Sequence, residues 1–246
     1  MKLAIVIGGW HFPLNTLVAF RNLAPASADL YIVEHRAPGD AEMPEQYRQE
    51  VDGKPYRAGF ANDANLVEMG YYRIVAQNDM GDWQFVNQWA ALQDWRRYDA
   101  VLFSHDDQYV RGDIIGETIR RAEAEPDILL WTHGRYEGAP ECYARGSYEL
   151  FRRELLERFD GQLPLGDCAL SRIGKTDTPV DFNALSAWNN TLVPLREYMR
   201  ANKMKVGYLS EYYRVSRWMV EGERGLLSSN IGAPWSFNEG LKAWPL

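Results

Sequence analysis

The segment Ala100–Val110, AVLFSHDDQYV, carries the sharpest chemical signal in the sequence: an apolar run that delivers His105 and two adjacent carboxylates, Asp106 and Asp107. Mg²⁺ and Mn²⁺ prefer hard oxygen ligands, and proteins commonly hold them with one or two carboxylates plus phosphate oxygens. Two acids fixed at a strand end suit that task. A plain structural reading stands beside it, in which Asp106 closes a turn or caps the helix beginning near Asp113, because aspartate is common in turns. The other histidines add weight to the chemical reading. His11, His35 and His133, like His105, each fall just past an apolar run with strand character. One histidine so placed more often satisfies a local hydrogen bond. Four of them, with Glu34 close by, point to one sheet edge where ligands collect.

Such an edge requires alternating strands and helices. Strand-like runs fall at Leu3–Gly8, Leu30–Glu34, Tyr72–Ala76, Ala100–Ser104 and Asp127–Thr132, with a last at Lys205–Leu209. Between them, Asn15–Leu23, Trp83–Trp95 and Asp113–Ala124 have the length and apolar spacing of covering helices. This rhythm predicts an α/β fold with a mostly parallel central sheet, helices on both faces and right-handed crossovers. In open sheets of this kind, ligands sit beyond the carboxyl ends of the strands. Residues 37–70, punctuated by Pro38, Gly39, Pro44, Gly53, Pro55 and Gly59, read as a long insertion over the sheet rather than a linker. After residue 140 the pattern changes. Ser147 is expected to cap a helix through Phe159, with Tyr148, Phe151, Leu155 and Phe159 on one face. Leu185, Trp188, Leu192, Leu195 and Met199 mark a later helix that Pro194 should kink, and the tail beyond residue 209 reads as irregular.

Composition narrows the class. With 246 residues, 46% hydrophobic and 25% charged, the chain is neither disordered, collagenous nor a coiled coil. Its apolar runs fall short of the roughly 18 residues a membrane helix needs, so no membrane partner is expected. Two cysteines, Cys142 and Cys168, stand outside any C-x-x-C pair, and no signal-peptide pattern opens the sequence, so a reducing, cytoplasmic setting is expected. A net charge of −7 argues against a surface that coats nucleic acid throughout, but leaves room for a local basic groove. Nine tryptophans suit either buried anchors or flat rings over sugars and bases. Gly174-Lys175-Thr176 ends like a P-loop, yet Ala169 stands where that motif needs glycine. Gly8-Gly9 is followed by Trp10-His11-Phe12-Pro13, where a dinucleotide fingerprint needs further glycines. No G-x-S-x-G is present, and the cysteine spacing excludes a structural zinc site.

An N-terminal α/β region whose fourth strand ends in a short acidic motif resembles the GT-A fold of nucleotide-sugar glycosyltransferases, where a D-x-D motif clamps a divalent ion onto the donor diphosphate. Here the motif is His105-Asp106-Asp107: histidine replaces the first acid, and Asp107 matches the acid that binds the metal. The resemblance extends over roughly residues 1–170. It implies that Val6–Pro13, with Gly8, Gly9 and His11, is similar to the first strand and nucleotide-contacting loop. Glu34 takes the place of the acid that touches the base, and Asn78-Asp79-Met80-Gly81 that of a donor-contacting loop. Asp107 and His105 would hold Mn²⁺ or Mg²⁺, with Asp106 beside the donor. Arg145-Gly146-Ser147 is similar to the segment entering the acceptor side. Residues 1–246 would form a single domain, with 1–140 the nucleotide-sugar-binding half and 141–246 a helical acceptor-side half and tail.

The tail segment Glu211–Gly225 holds Arg214, Arg217 and Arg224 among aromatics, suited to a diphosphate, a sugar or an acceptor backbone, or equally to salt bridges with Glu211, Glu221 and Glu223. The Glu-Asp pair that supplies the base in many inverting members is missing. Asp167, in Leu165-Gly166-Asp167-Cys168, is its positional substitute, with Asp177 and Asp181 behind it. A base must reach the acceptor hydroxyl through one hydrogen bond, so inversion and retention both stay open. The implied activity is sugar transfer from a UDP-linked donor to an acceptor hydroxyl, a hydroxymethylated base in phage DNA being one candidate. Two other classes compete: a metal-dependent hydrolase or phosphoesterase with the histidines and Asp106/Asp107 as direct ligands, and a nucleotide- or glycan-binding protein without turnover.

Overall fold

Leu3–Gly9 (β1) consists of seven small or apolar residues, every one buried, so this strand needs a neighbour on each side and a layer on each face. The computed structural model supplies both. It describes residues 1–9, 14–34, 50–51, 54–55, 63–75, 85–105, 108–110, 112–132, 148–164, 193–209, 213–215 and 227–229. After β1 come α1 (Leu14–Leu23), β2 (Asp29–Glu34), a short hairpin of β3 (Glu50–Val51) and β4 (Lys54–Pro55), α2 (Asp63–Glu68), β5 (Tyr71–Val75) and α3 (Phe85–Leu92). The chain continues with β6 (Ala100–His105), β7 (Gln108–Val110), α4 (Ile114–Ala124), β8 (Leu130–Thr132), β9 (Tyr148–Arg152) and α5 (Arg153–Glu157). Last come α6 (Val193–Ala201), β10 (Val206–Tyr208), β11 (Tyr213–Val215) and β12 (Leu227–Ser229).

Seven strands form the central sheet in the order β10-β8-β9-β6-β1-β2-β5. All pair in parallel except β9, which runs antiparallel between β6 and β8. Alternate residues point to opposite faces, and each face has its own apolar layer. On one, Phe85, Val86 and Trp89 of α3, Leu155 and Leu156 of α5, and Leu195 and Met199 of α6 cover Ala4, Val6, Tyr31, Val33, Val101 and Phe103. On the other, Leu17 and Phe20 of α1, Leu66 of α2, and Ile114 and Ile115 of α4 cover Leu3, Ile5, Ile7, Ile32, Leu102 and Leu150. The mostly parallel sheet with helices on both faces is as the sequence rhythm predicts. Among the described residues, no helix is long and apolar enough to cross a membrane.

Two expectations fail. The helix expected from Ser147 to Phe159 is instead β9 followed by the single short helix α5. Because β9 is buried on both faces, Tyr148, Leu150 and Phe151 give no clean alternation, and the three-residue step from Tyr148 to Phe151 imitates a helix. The chain leaves α5 through Asp160 (φ 48°) and Gly161 (φ 80°), both left-handed. A side chain at residue 161 would also meet the Trp95 indole at 2.5 Å, so glycine ends the element. Pro194 stands at the start of the described part of its expected helix, and the turn before it, where a kink would show, lies outside the described residues. It is the second residue of α6, where a missing N–H leaves no intrahelical bond unmade. Residues 185–192 of that expected helix lie outside the described residues. The tail is not wholly irregular, because β11 and β12 join β7 in a three-stranded sheet, β12 parallel to β11 and antiparallel to β7.

Candidate functional site

Six parallel strands, β1, β2, β5, β6, β8 and β10, end at one edge of the sheet. The segments that leave it, 10–13, 35–49, 76–84, 106–107, 133–147 and 210–212, lie outside the described residues. Three of the four histidines fall there, His11, His35 and His133, together with Asn78, Asp106 and Asp107. Asp167, Arg217 and Arg224 are likewise outside the description. What the structure does place is the rigid rim from which these residues depart.

His105 is the last residue of β6 and pairs in register with Gly8 of β1. Its imidazole is buried, 9% exposed, on the α3 face, with ring centroids 5.6 Å from Phe103 and 6.4 Å from Phe85. Gly8 pairs with Val33 on its other side, and Gly9 with Glu34. A Cβ on Gly8 would lie 2.2 Å from the Phe85 ring. The missing side chain therefore lets the start of α3 close onto β1 directly beside His105. Glu34 caps β2 and is held by Arg73 of β5, whose Nε donates to Oε2 at 2.8 Å and whose Nη2 reaches the same oxygen. Both are partly exposed, so this ion pair fixes a rotamer more than it adds stability.

Asp106 and Asp107 are the two residues that join His105 to Gln108, the first residue of β7. The small sheet brings the tail to this junction. Arg214 of β11 is in register with Ser228 of β12, and Ser228 with Tyr109 of β7. A strand roughly a hundred residues later in sequence is thereby held one strand away from β7, which begins directly after the two aspartates in sequence.

One residue at this edge escaped the sequence reading. Glu149, the second residue of β9, is fully buried, and it is the one acidic side chain among the buried described residues. Its register partners are Phe103 of β6 and Thr132 of β8, and the Thr132 hydroxyl donates to Oε1 at 3.3 Å. The mistaken helix placed Glu149 on the side away from Tyr148 and Phe151. Read as a strand, YELFR sets a carboxyl group in the apolar layer on the α3 face, beside Phe103. Tyr148, just before it, faces the opposite layer, where its hydroxyl lies 3.2 Å from that of Thr118 and burial pushes its pKa up.

No group of three His, Cys, Asp or Glu side chains that could hold a metal occurs among the described residues. The donor set that remains is the one read from sequence: two consecutive carboxylates at the end of a central strand. Their hard oxygens fit Mn²⁺ or Mg²⁺.

No protein-family model and no curated protein matches the chain. Among solved structures it is similar to a mannosyltransferase from Pyrobaculum calidifontis in complex with GDP-Man and Mn²⁺, at 10% identity and a TM-score of 0.48. That match covers 84% of this chain and 54% of the mannosyltransferase, so the chain spans about half of that protein's length. A second is glucosyl-3-phosphoglycerate synthase from Mycobacterium tuberculosis, in complex with Mn²⁺, UDP and glucosyl-3-phosphoglycerate, at 11% identity over 85% of this chain and 70% of that one, TM-score 0.49. A third is a glycosyltransferase involved in glycosylation of the major capsid of PBCV-1, at 12% identity over 98% of this chain and 100% of that one, TM-score 0.49. At such scores the functional case rests on this chain's own residues.

Proposed function

We propose that this chain is a metal-dependent glycosyltransferase that moves a sugar from a nucleotide-diphosphate donor, UDP-linked, to an acceptor hydroxyl. One observation carries the reading: β6, central in the sheet, ends at its carboxyl edge with His105 beside Gly8, and the next two residues are Asp106 and Asp107. Carboxyl edges of such sheets are where ligands bind. Asp107 would hold Mn²⁺ or Mg²⁺, with His105 and Asp106 flanking it. When bound, that ion supplies Lewis-acid stabilisation of the departing diphosphate.

The remaining roles follow from chemistry and position. Glu34, its rotamer fixed by Arg73, presents an acceptor oxygen to the base or ribose of the nucleotide. Gly8, Gly9, His11 and Asn78 border the donor. Arg214, Arg217 and Arg224 offer guanidinium groups to the diphosphate, a role supported by the register that sets β11 one strand from β7. Asp167 is the candidate base that takes the proton from the acceptor hydroxyl. The acceptor class, a hydroxymethylated DNA base included, the division at residue 140 and a cytoplasmic setting belong to the same proposal.

Thermal melting tests it. A ligand that selects the native state raises the midpoint, so UDP and Mn²⁺ together are expected to raise it more than either alone and more than GDP with Mn²⁺. If UDP with Mn²⁺ does no better than each separately, the transferase reading fails in favour of the hydrolase. Asp107→Ala separates the classes further, because a nucleotide binder without turnover keeps most of its affinity.

A further inference from the structure

Three large apolar side chains stand exposed among the described residues: Val67 of α2, Tyr72 of β5 and Leu92 of α3, at 77%, 57% and 49%. Val67 belongs to the helix that covers the other face of the sheet, whereas Tyr72 and Leu92 come together on the α3 face. Tyr72 pairs in register with Tyr31 of β2, and the two rings lie 5.2 Å apart, tilted by 31°. Leu92 ends α3 one turn beyond Trp89, whose ring lies 5.7 Å from that of Tyr31. An exposed aromatic ring and an exposed leucine thus border one buried tyrosine. Helix α3 begins beside Gly8 and His105, so its last residue lies toward the amino edge, away from the end of β6.

Tyr31 also anchors a polar group. Its hydroxyl accepts from Arg97 Nη2 at 2.8 Å, and the same Nη2 donates to Asp29 Oδ2 at 3.0 Å and to the Tyr98 hydroxyl. Tyr98 donates to Asp29 Oδ2 at 2.5 Å. Each of these bonds uses Nη2 of the guanidinium or Oδ2 of the carboxylate. Among the described residues, Nε and Nη1 of Arg97 and Oδ1 of Asp29 have no partner, although the two side chains are 44% and 32% exposed. The inner atoms are fixed, so one acceptor and a fork of donors are held in place before any ligand arrives. Gly70, one residue before the Leu30–Tyr71 pair, comes level with Asp29, and a Cβ on it would meet nothing within 4 Å. From the β5 side, therefore, no side chain is brought against Asp29.

Charge decides the class of ligand. A phosphate or carboxylate drawn to Arg97 would meet the Asp29 carboxylate beside it, and a cation drawn to Asp29 would meet Arg97. An uncharged group that donates to one and accepts from the other suits the pair, and neighbouring hydroxyls of a sugar do both. The apolar C–H face of a sugar ring packs on an exposed aromatic ring. We propose that Tyr72, Leu92 and the Asp29–Arg97 pair form a saccharide-binding site at the amino edge, at the opposite end of the sheet from the close of β6. The site does not depend on the transferase reading.

Native electrophoresis in gels cast with a soluble glucan, mannan or galactan provides the test. Wild type is expected to be retarded by at least one of these polymers. Tyr72→Ala, at an exposed position on an edge strand, is expected to fold and to bind that polymer about tenfold or more weakly. Tyr72→Phe, which keeps the ring, is expected to match wild type. Arg97→Lys, which keeps the charge and loses the fork, is expected to weaken the retardation as well. Wild type retarded by none of the three overturns the proposal, and so does equal retardation of wild type and Tyr72→Ala. Sedimentation covers a second copy as occupant: a wild-type dimer that Tyr72→Ala dissociates, with no retardation by polymer, overturns it too. UDP with Mn²⁺ is expected to bind Tyr72→Ala as it binds wild type. A wild-type chain that binds polymer through Tyr72, yet no UDP with Mn²⁺, sinks the transferase reading and leaves the saccharide site standing.

Discussion

The two ends of the central sheet are built to opposite rules. At the amino edge, where β2 and β6 begin, Asp29, Tyr31, Arg97 and Tyr98 form a closed network. The Tyr31 and Tyr98 hydroxyls lie 2.8 Å apart, Tyr98 donates to Asp29 Oδ2 at 2.5 Å, and Arg97 Nη2 donates to Tyr31 at 2.8 Å and to Asp29 at 3.0 Å. Burial, together with the hydrogen bond to Asp29, pushes the Tyr98 hydroxyl up and keeps it a donor. The Lys2 N–H donates to Asp99 at 2.7 Å, and the terminal ammonium meets Glu123 at 3.0 Å. At the carboxyl edge the polar groups are buried deeper: His105 ends β6, Thr132 ends β8, and Glu149 stands near the start of β9. Short, reciprocated bonds at the amino edge stabilise. A buried acid at the other edge carries a cost that chemistry there would justify.

If this division holds, damage at each edge should register in a different measurement. The largest effect is expected from Asp107→Ala. UDP release from a UDP-sugar should fall roughly 10²–10³-fold, the scale of losing one group that stabilises developing charge, with the melting midpoint unchanged. A midpoint that falls along with activity would erase the distinction between the edges.

Gly8→Ala comes next and probes tight packing at the carboxyl edge. The added methyl group collides with Phe85, and overpacking of this severity costs about 3 kcal/mol, readable as a lowered urea midpoint with unchanged slope. Tyr98→Phe, at the opposite edge, removes one hydroxyl from a shared network and should cost about 1–2 kcal/mol. Its affinity for UDP with Mn²⁺ should match wild type. A loss of nucleotide affinity in Tyr98→Phe would show that the two edges are coupled.

Legibility in the sequence follows the same line. The sheet interior was readable because Leu3–Gly9 and Ala100–His105 are buried on both faces and so stay apolar without interruption. Their carboxyl ends, and with them Gly8 and His105, followed directly, as did Glu34 at the end of β2. β9 was not readable, because its partners β6 and β8 are distant in sequence and its apolar spacing fits a helix as well as a strand. Glu149 was lost with it, since an acid in a presumed helix looks solvent-facing. β11 and β12 escaped for a related reason: three-residue strands carry too little pattern, and only pairing with β7 gives them a place.

The smallest effect belongs to the amino edge. Asp127 and Lys205 precede β8 and β10, and Lys205 Nζ donates to Asp127 Oδ2 at 2.7 Å. That hydrogen bond holds the Asp127 carboxyl below its ordinary range. A carboxylate whose pKa is lower folded than unfolded contributes stability above its unfolded pKa, and that contribution fades as the pH falls through the folded value. Asp127→Asn should therefore be slightly less stable than wild type near neutrality, with the two urea midpoints converging in acid. Both side chains are largely exposed, 60% and 70%, so added salt should narrow the gap. A gap that persists in strong acid would mean that the substitution acts through packing or the unfolded chain rather than through this ion pair.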